Sequence, residues 1–431
     1  MLGVGREGPL GVVRTAGSAG SGGGWPAPTG LSERDALTVL ATVDGLGLLT
    51  LARLIARIGS ARGVVEAAAG RGAVGLLLEA SRDKENGVRA MPARVAEGLA
   101  AVPASVDTIL GGLARSGLKT LTVEDPDYPA RLRAIELPPH VLFVRGDPAA
   151  LATRHAVAVV GTRRPSEAGR LVAARIGAAI ARAGAVVVSG LAVGIDGAAH
   201  AAVVAEGRPT VAVLGGGHER LFPTAHRRLA DAIVAAGGAL VSEFAPLVEP
   251  RAGTFPRRNR VISGLSEATV VVEAGARSGS LITAQWALEQ GRDCFLVPGS
   301  IDSRTAAGCL AFLREFPGQA RIVAGVPQLL EDLGIIEPDA GADDPTRLVP
   351  VAALLVELGN GPRRIAAELL RGRTTADELV ATTGLTIAGV LAALTLLESR
   401  GLVAGVYGRY RPVGPLAAAA RDALGEPAAG S

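Results

Sequence analysis

VAVVGTR (Val157–Arg163), VVVSGLAVGID (Val186–Asp196), VAVLGGG (Val211–Gly217), LVSEF (Leu240–Phe244), VVVEAG (Val270–Gly275) and FLVPGS (Phe295–Ser300) form a train of short apolar runs, each stopping at a glycine or a small polar residue. They recur at a spacing of roughly 25 to 30 residues, the pitch of a strand, a crossover helix and the next parallel strand. Their side chains are almost unbroken Val, Ala and Leu rather than alternating, which suits strands covered on both faces. The segments between them, such as 168–183 and 280–290, have helical spacing and are rich in alanine. The fold class is therefore α/β, with a doubly wound, mainly parallel sheet.

In such a sheet, ligands sit in the crevice at the carboxyl ends of the strands. Those ends carry Gly161, Thr162, Arg163 and Arg164, then Ser189-Gly190, Gly215–Gly217 and the stretch 274–280, with FPRRNR (Phe255–Arg260) in a nearby connection. Glycines admit close backbone approach and arginines offer paired donors to phosphate oxygens. An anion is the expected ligand.

The whole chain limits the alternatives. Its 431 residues allow two to four domains. A net charge of +3 with 20% charged residues excludes a polycation, so any nucleic-acid site must be a local patch. Lys84 and Lys119 are the only lysines, so arginine carries nearly all the basic charge. Cys294 and Cys309 make neither a CxxC pair nor a disulfide framework. No apolar run reaches the ~18 residues of a membrane span, and no signal sequence is read at the start. The expectation is a cytoplasmic, reduced protein with no membrane partner.

Along the chain, residues 1–30 are Gly-, Pro- and Ser-rich and are expected to be disordered. Residues 31–117 read as an N-terminal helical domain. Within it Leu40–Ser60 has the form helix, Asp44-Gly45-Leu46-Gly47 turn, helix, which reads first as bundle packing around a tight turn and second as a seat for a DNA phosphate at a helix N-terminus. The core domain spans 118–336, opening with two strands around a Pro-rich connection (Leu118–Asp147) placed as an edge extension of the sheet. An acidic linker at 337–346 precedes a C-terminal winged-helix domain at 347–412, in which Thr374 or Thr375 caps one helix, Thr386 the next, and 401–411 alternates as a wing. Residues 413–431 are expected to be a disordered tail.

The motifs VAVVGTRRPSEAG, VVVSGLAVGIDGAAH, TVAVLGGG, LVSEF, FPRRNRVISGL, VVVEAGARSGSLITAQWALEQGR and FLVPGS, in this order, resemble the bacterial DNA-processing protein A (DprA, or Smf) family from Leu118 to about Leu333. The resemblance implies an extended Rossmann-like domain that binds single-stranded DNA without catalysis and hands it to the RecA recombinase in DNA uptake and recombination. It further implies a homodimer with no cofactor. Carried over, the GTR turn (Gly161, Thr162, Arg163) and Phe255, Arg257, Arg258, Asn259 and Arg260 line the DNA pocket, and Ser278, Gly279 and Ser280 form a phosphate seat at a helix start. Two positions depart from the family pattern: Leu310 and His226 each stand where asparagine is usual.

Three arginines beside a phenylalanine combine phosphate clamps with a stacking surface, which suits sequence-tolerant single-strand binding. Chemistry has less to work with. Glu243 and Glu273 at strand ends suggest a general acid and base, but no nucleophile or ligand set accompanies them. Asp196 reads as an N-cap and His200 as a packed or solvated ring rather than a catalytic one. A nucleotide-binding or nucleotide-hydrolysing enzyme related to phosphoribohydrolases is the alternative, with Glu289 in the acidic place of GARSGSLITAQWALE, though that loop lacks a double glycine. The helix after Thr386 is nearly free of basic residues and reads as a protein-contact surface.

Overall fold

The computed structural model describes residues 30–83, 86–335, 358–371, 373–400, 402–406, 409–412 and 416. The segments expected to be disordered at 1–30 (Gly30 apart) and 413–431 (Leu416 apart), and the linker at 337–346, lie outside the described residues. The chain divides into two compact units, one ending at Pro338 and one beginning at Asp339.

The first unit is built on a nine-stranded sheet: β1 (Lys119–Thr122), β2 (Val141–Gly146), β3 (Ala156–Val160), β4 (Val186–Ser189), β5 (Thr210–Val213), β6 (Ala239–Ser242), β7 (Ala268–Val271), β8 (Asp293–Leu296) and β9 (Ala320–Ile322). Their spatial order is β1-β2-β6-β5-β4-β3-β7-β8-β9. From β6 to β9 every neighbouring pair is parallel, while β2 runs antiparallel to both β6 and β1. The expected train of runs is the parallel part, and Leu118–Asp147 supplies the edge extension.

Period two in a strand sends neighbouring side chains to opposite faces. In β3, Ala156, Ala158 and Val160 enter one core, shared with Val261 and Ile262 of the helix Thr254–Gly264, with Leu265 at its C-cap and with Ala284 of the helix Ser280–Glu289. Val157 and Val159 enter the other, against Ala173, Ile176 and Ile180 of the helix Glu167–Arg182 and Ile195, Ala199 and Val203 of the helix Ile195–Ala205. Because both faces are covered, a residue of either parity must be apolar, and no alternation survives in the sequence.

Among the described residues, six α-helices precede the sheet: Glu33–Leu40, Leu48–Ile58, Ala61–Ala69, Ala73–Ser81, Ala93–Ala101 and Val106–Arg115. The Asp44–Gly47 turn joins the first two, as expected for the hairpin. Their core also takes in Val141 and Phe143 of β2 and Ala245 after β6, so the hairpin is held against the antiparallel edge of the sheet.

The second unit has helices Asn360–Leu370, Ala376–Thr383 and Ile387–Ser399 followed by an antiparallel hairpin of β10 (Val403–Val406) and β11 (Arg409–Pro412). Thr375 and Glu378 form a reciprocal capping box and Thr386 caps the last helix. The helix-turn-helix and wing read from the sequence are present. The preceding helix Asn360–Leu370 carried no capping signal and was not expected.

Candidate functional site

Strand order reverses between β3 and β7, so the loops leaving these two strands turn to opposite faces and open a crevice at their carboxyl ends. The loop after β3 carries the GTR turn, and the loop after β7 leads to the SGS turn. Two contacts join them: the Thr162 amide donates to the Glu273 carbonyl at 2.7 Å, and the Ser166 amide and hydroxyl donate to the Glu273 carboxylate at 2.9 and 3.1 Å. Ser166 is also the N-cap of Glu167–Arg182, so Glu273, 7% exposed, rests at the positive end of that helix. Both side-chain bonds fall on one carboxylate oxygen, Oε2, which ties Glu273 to the start of that helix.

FPRRNR lies in the first turns of the helix Thr254–Gly264, not in a loop. Helical rotation therefore parts its side chains: Arg257 is exposed, whereas Arg258, Asn259 and Arg260 are 5%, 8% and 4% exposed. Arg258 donates to the carbonyl of Gly190 at 2.8 Å and to that of Val213, which ties the ends of β4 and β5. Burial pushes its guanidinium down to about 10, opposed by Asp196, so it stays charged at neutral pH. Arg260 forms a two-pronged salt bridge with Glu243 (3.0 and 2.7 Å) and donates to the Leu137 carbonyl at 3.1 Å. This corrects the expectation of three parallel phosphate clamps. Two of the three arginines have their donors directed into the protein, and Glu243, offered as an acid–base partner, is the counter-ion of one of them. The Cβ direction of Gly190 runs into the Arg258 guanidinium at 2.6 Å, so Gly190 makes room for that buried cation and is itself buried.

What remains open to solvent is a cationic, aromatic rim. Arg163, Arg164 and Arg257 are exposed. The Arg163 and Arg258 guanidinium carbons lie 5.2 and 6.0 Å from the Phe255 ring centroid, and Phe222, 48% exposed, is 5.9 Å from the same ring. Arg257 lies over Phe244 at 5.7 Å. Phe222 and Phe244 were missed from sequence, because each sits singly in an irregular stretch and acquires meaning only beside Phe255 or Arg257. The SGS turn joins the rim through Asn259, whose side-chain amide donates to the Gly279 carbonyl at 3.0 Å. The Ser278 and Ser280 hydroxyls are 2.8 Å apart, with Gly279 exposed between them.

The loop after β4 braces the GTR turn. Gly194 has φ +93°, and a Cβ there would meet the Thr162 carbonyl oxygen at 2.4 Å. Gly194 is the N-cap, and Asp196 stands one step inside the helix, a correction to its expected capping role. Its carboxylate accepts the Gly190 amide at 3.1 Å instead, and burial raises its pKa against the pull of Arg258. His200 is fully buried and paired with Thr210 at 2.8 Å, and burial holds its pKa down at about 3, so the ring is neutral. His226 donates from Nδ1 to the Leu191 carbonyl at 2.9 Å, where Leu191 has the uncommon left-handed φ of 58°. An asparagine amide could make the same bond, so this departure keeps the loop anchored. Leu310, the other departure, lies half-buried in the helix Ala307–Glu315.

Among the described residues there is no group of three or more His, Cys, Asp or Glu side chains able to hold a metal ion, and no single helix is long and apolar enough to cross a membrane.

Residues 119–334 match the family model of the DNA recombination-mediator protein A, and residues 350–409 match that of the DprA winged helix domain. The DNA processing protein DprA of Bacillus subtilis (strain 168) is 40% identical over 226 residues, 52% of this chain and 74% of that protein. A putative DNA processing protein DprA of Mycobacterium tuberculosis (strain H37Rv) is 40% identical over 313 residues, 69% of this chain and 78% of that one. The X-ray structure of DNA processing protein A from Streptococcus pneumoniae is similar with a TM-score of 0.55 at 30% identity, covering 69% of this chain and 97% of that chain.

Proposed function

The chain belongs to the DNA recombination-mediator protein A family, and on that premise we propose that it binds single-stranded DNA along the rim at the β3/β7 crevice and passes the strand to a RecA recombinase, as a homodimer and without chemistry of its own. The observation that carries this reading is the cluster of Arg163 and the tilted Phe222 ring about Phe255, continued by Arg257 over Phe244. Aromatic faces accept any base and guanidiniums accept any phosphate, which is the arrangement needed to hold a strand irrespective of its sequence. A duplex hides its base faces, so the aromatic half of the rim would be idle against it.

Direct contacts are assigned to Thr162, Arg163, Arg164, Phe255, Arg257 and the Ser278–Ser280 turn, with Gly161 lining the turn. Gly190, Arg258, Asn259 and Arg260 shape the rim from beneath. The engagement of both Glu243 oxygens by Arg260 argues against the hydrolase alternative, and Glu273 is held through its Oε2 by Ser166.

Two parallel incubations test this. With single-strand binding protein, oligonucleotide and RecA, the protein is expected to speed filament assembly. With nucleoside monophosphates, ATP or NAD it is expected to produce no turnover. Turnover in the second set that disappears in Glu273→Gln would overturn the reading.

A further inference from the structure

A cavity of about 210 Å³ lies between the N-terminal hairpin turn and the start of the FPRRNR helix, within the first unit. Its lining includes Leu48 and Leu51 of the hairpin's second helix, Val248 from the loop after β6, His140, Phe244 and the two arginines Arg251 and Arg257. Leu51 is 4% exposed while Arg251 and Arg257 are exposed, so the apolar end is the deep one and the guanidiniums stand at the outer end. Arg257 makes no ion pair among the described residues, and its only aromatic neighbour is Phe244. His140 Nδ1 is buried with no hydrogen-bond partner. The His140 ring lines the cavity, with Nδ1 itself closed off from it. Burial and the Arg260 charge hold the His140 ring below its ordinary pKa, which leaves a neutral ring with one donor and one acceptor nitrogen.

We propose that this cavity is a base pocket for the bound single strand: one nucleotide swings its base in beside Phe244 and His140, and its phosphate stays at the mouth on Arg251 and Arg257. The inference rests on the single-strand reading above. The size fits one ring system and no more, being below the roughly 300 Å³ at which pockets for larger ligands begin. A phosphate is the wrong occupant for the inner part, because that end is apolar and holds no free cation among the described residues, the Arg260 charge being taken up by Glu243. Continuity with the rim is built in: Phe255 and Arg257 lie in the same helical turn, and Thr254 of that turn lines the cavity while its hydroxyl bonds the Gly215 carbonyl beside Phe255. The N-terminal hairpin thereby becomes one wall of a DNA site, a role the crevice alone does not give it.

The test uses the full chain, fluorescein-labelled oligothymidylate and an abasic sugar–phosphate chain of equal length, read by polarisation. Leu48→Trp and Val248→Phe each fill the cavity from a different wall. Both are expected to weaken oligothymidylate binding about tenfold, the scale of one lost base contact, and to leave binding of the abasic chain unchanged. An oligonucleotide containing 2-aminopurine should brighten on binding the unaltered protein as a base leaves the stack. Variants that bind both chains as the unaltered protein does, or that lose both chains equally, would overturn the pocket while leaving the single-strand reading in place; so would a 2-aminopurine signal that does not change. Failure of the unaltered protein to bind either chain would overturn both.

Discussion

Glu243→Ala is expected to lower the free energy of unfolding of the first unit by about 3–5 kcal/mol, the cost of leaving one partner of a buried ion pair uncompensated. The Arg260 and Glu243 side chains are 5% and 6% exposed, the pair is two-pronged, and the remaining Arg260 donors go to the Leu137 and Arg257 carbonyls. Truncation leaves the guanidinium charged with no counter-ion beside it. A domain has only about 5–15 kcal/mol in all, so a large downward shift of the urea midpoint follows. The measurement also separates structure from chemistry. A catalytic Glu243 would lose activity on substitution and keep its stability, whereas a structural one loses stability first. An unfolding midpoint equal to that of the unaltered protein would contradict the assignment.

Arg163→Ala should do the reverse. Arg163 is exposed, its guanidinium lies over Phe255, and it makes no ion pair among the described residues. Truncation removes a charge-assisted contact to the strand, on the order of 1–3 kcal/mol or roughly 5- to 150-fold in affinity, with the unfolding midpoint unmoved. Polarisation with a labelled oligonucleotide checks the first part and urea unfolding the second. Normal affinity in Arg163→Ala would mean that the rim has been misplaced. Taken together, the two substitutions separate arginines that build the crevice from arginines that face its ligand.

That separation is where sequence reading stopped. The sheet was legible because β3, β4, β5, β7 and β8 are covered on both faces and so appear as unbroken apolar runs. The winged helix was legible because Thr375 with Glu378 and Thr386 are capping signals written in adjacent residues. The rim was legible only as a set of clusters. An arginine in FPRRNR has the same letter whether it points to solvent like Arg257 or into the ends of β4 and β5 like Arg258. Only the helical phase of Thr254–Gly264, fixed by packing of Val261 and Ile262 on the sheet, decides between them. Asp196 was misassigned for a related reason. The glycine before the helix took the capping place, and the carboxylate was left to satisfy loop amides that do not neighbour it in sequence. Phe222 had no local signal at all, and Phe244 appeared only as the last residue of LVSEF, since their partners are Phe255, 33 residues away for Phe222, and Arg257, 13 residues away for Phe244.

The most direct measurement of the central claim is the affinity of the full chain for a labelled single strand and for its duplex, followed across a salt series. A rim of exposed arginines set beside Phe222 and the half-buried Phe244 and Phe255 predicts tighter binding to the single strand than to the duplex, little dependence on base sequence, and an affinity that falls steeply as salt rises, because phosphate contacts release counterions. Equal or tighter binding to the duplex would contradict it.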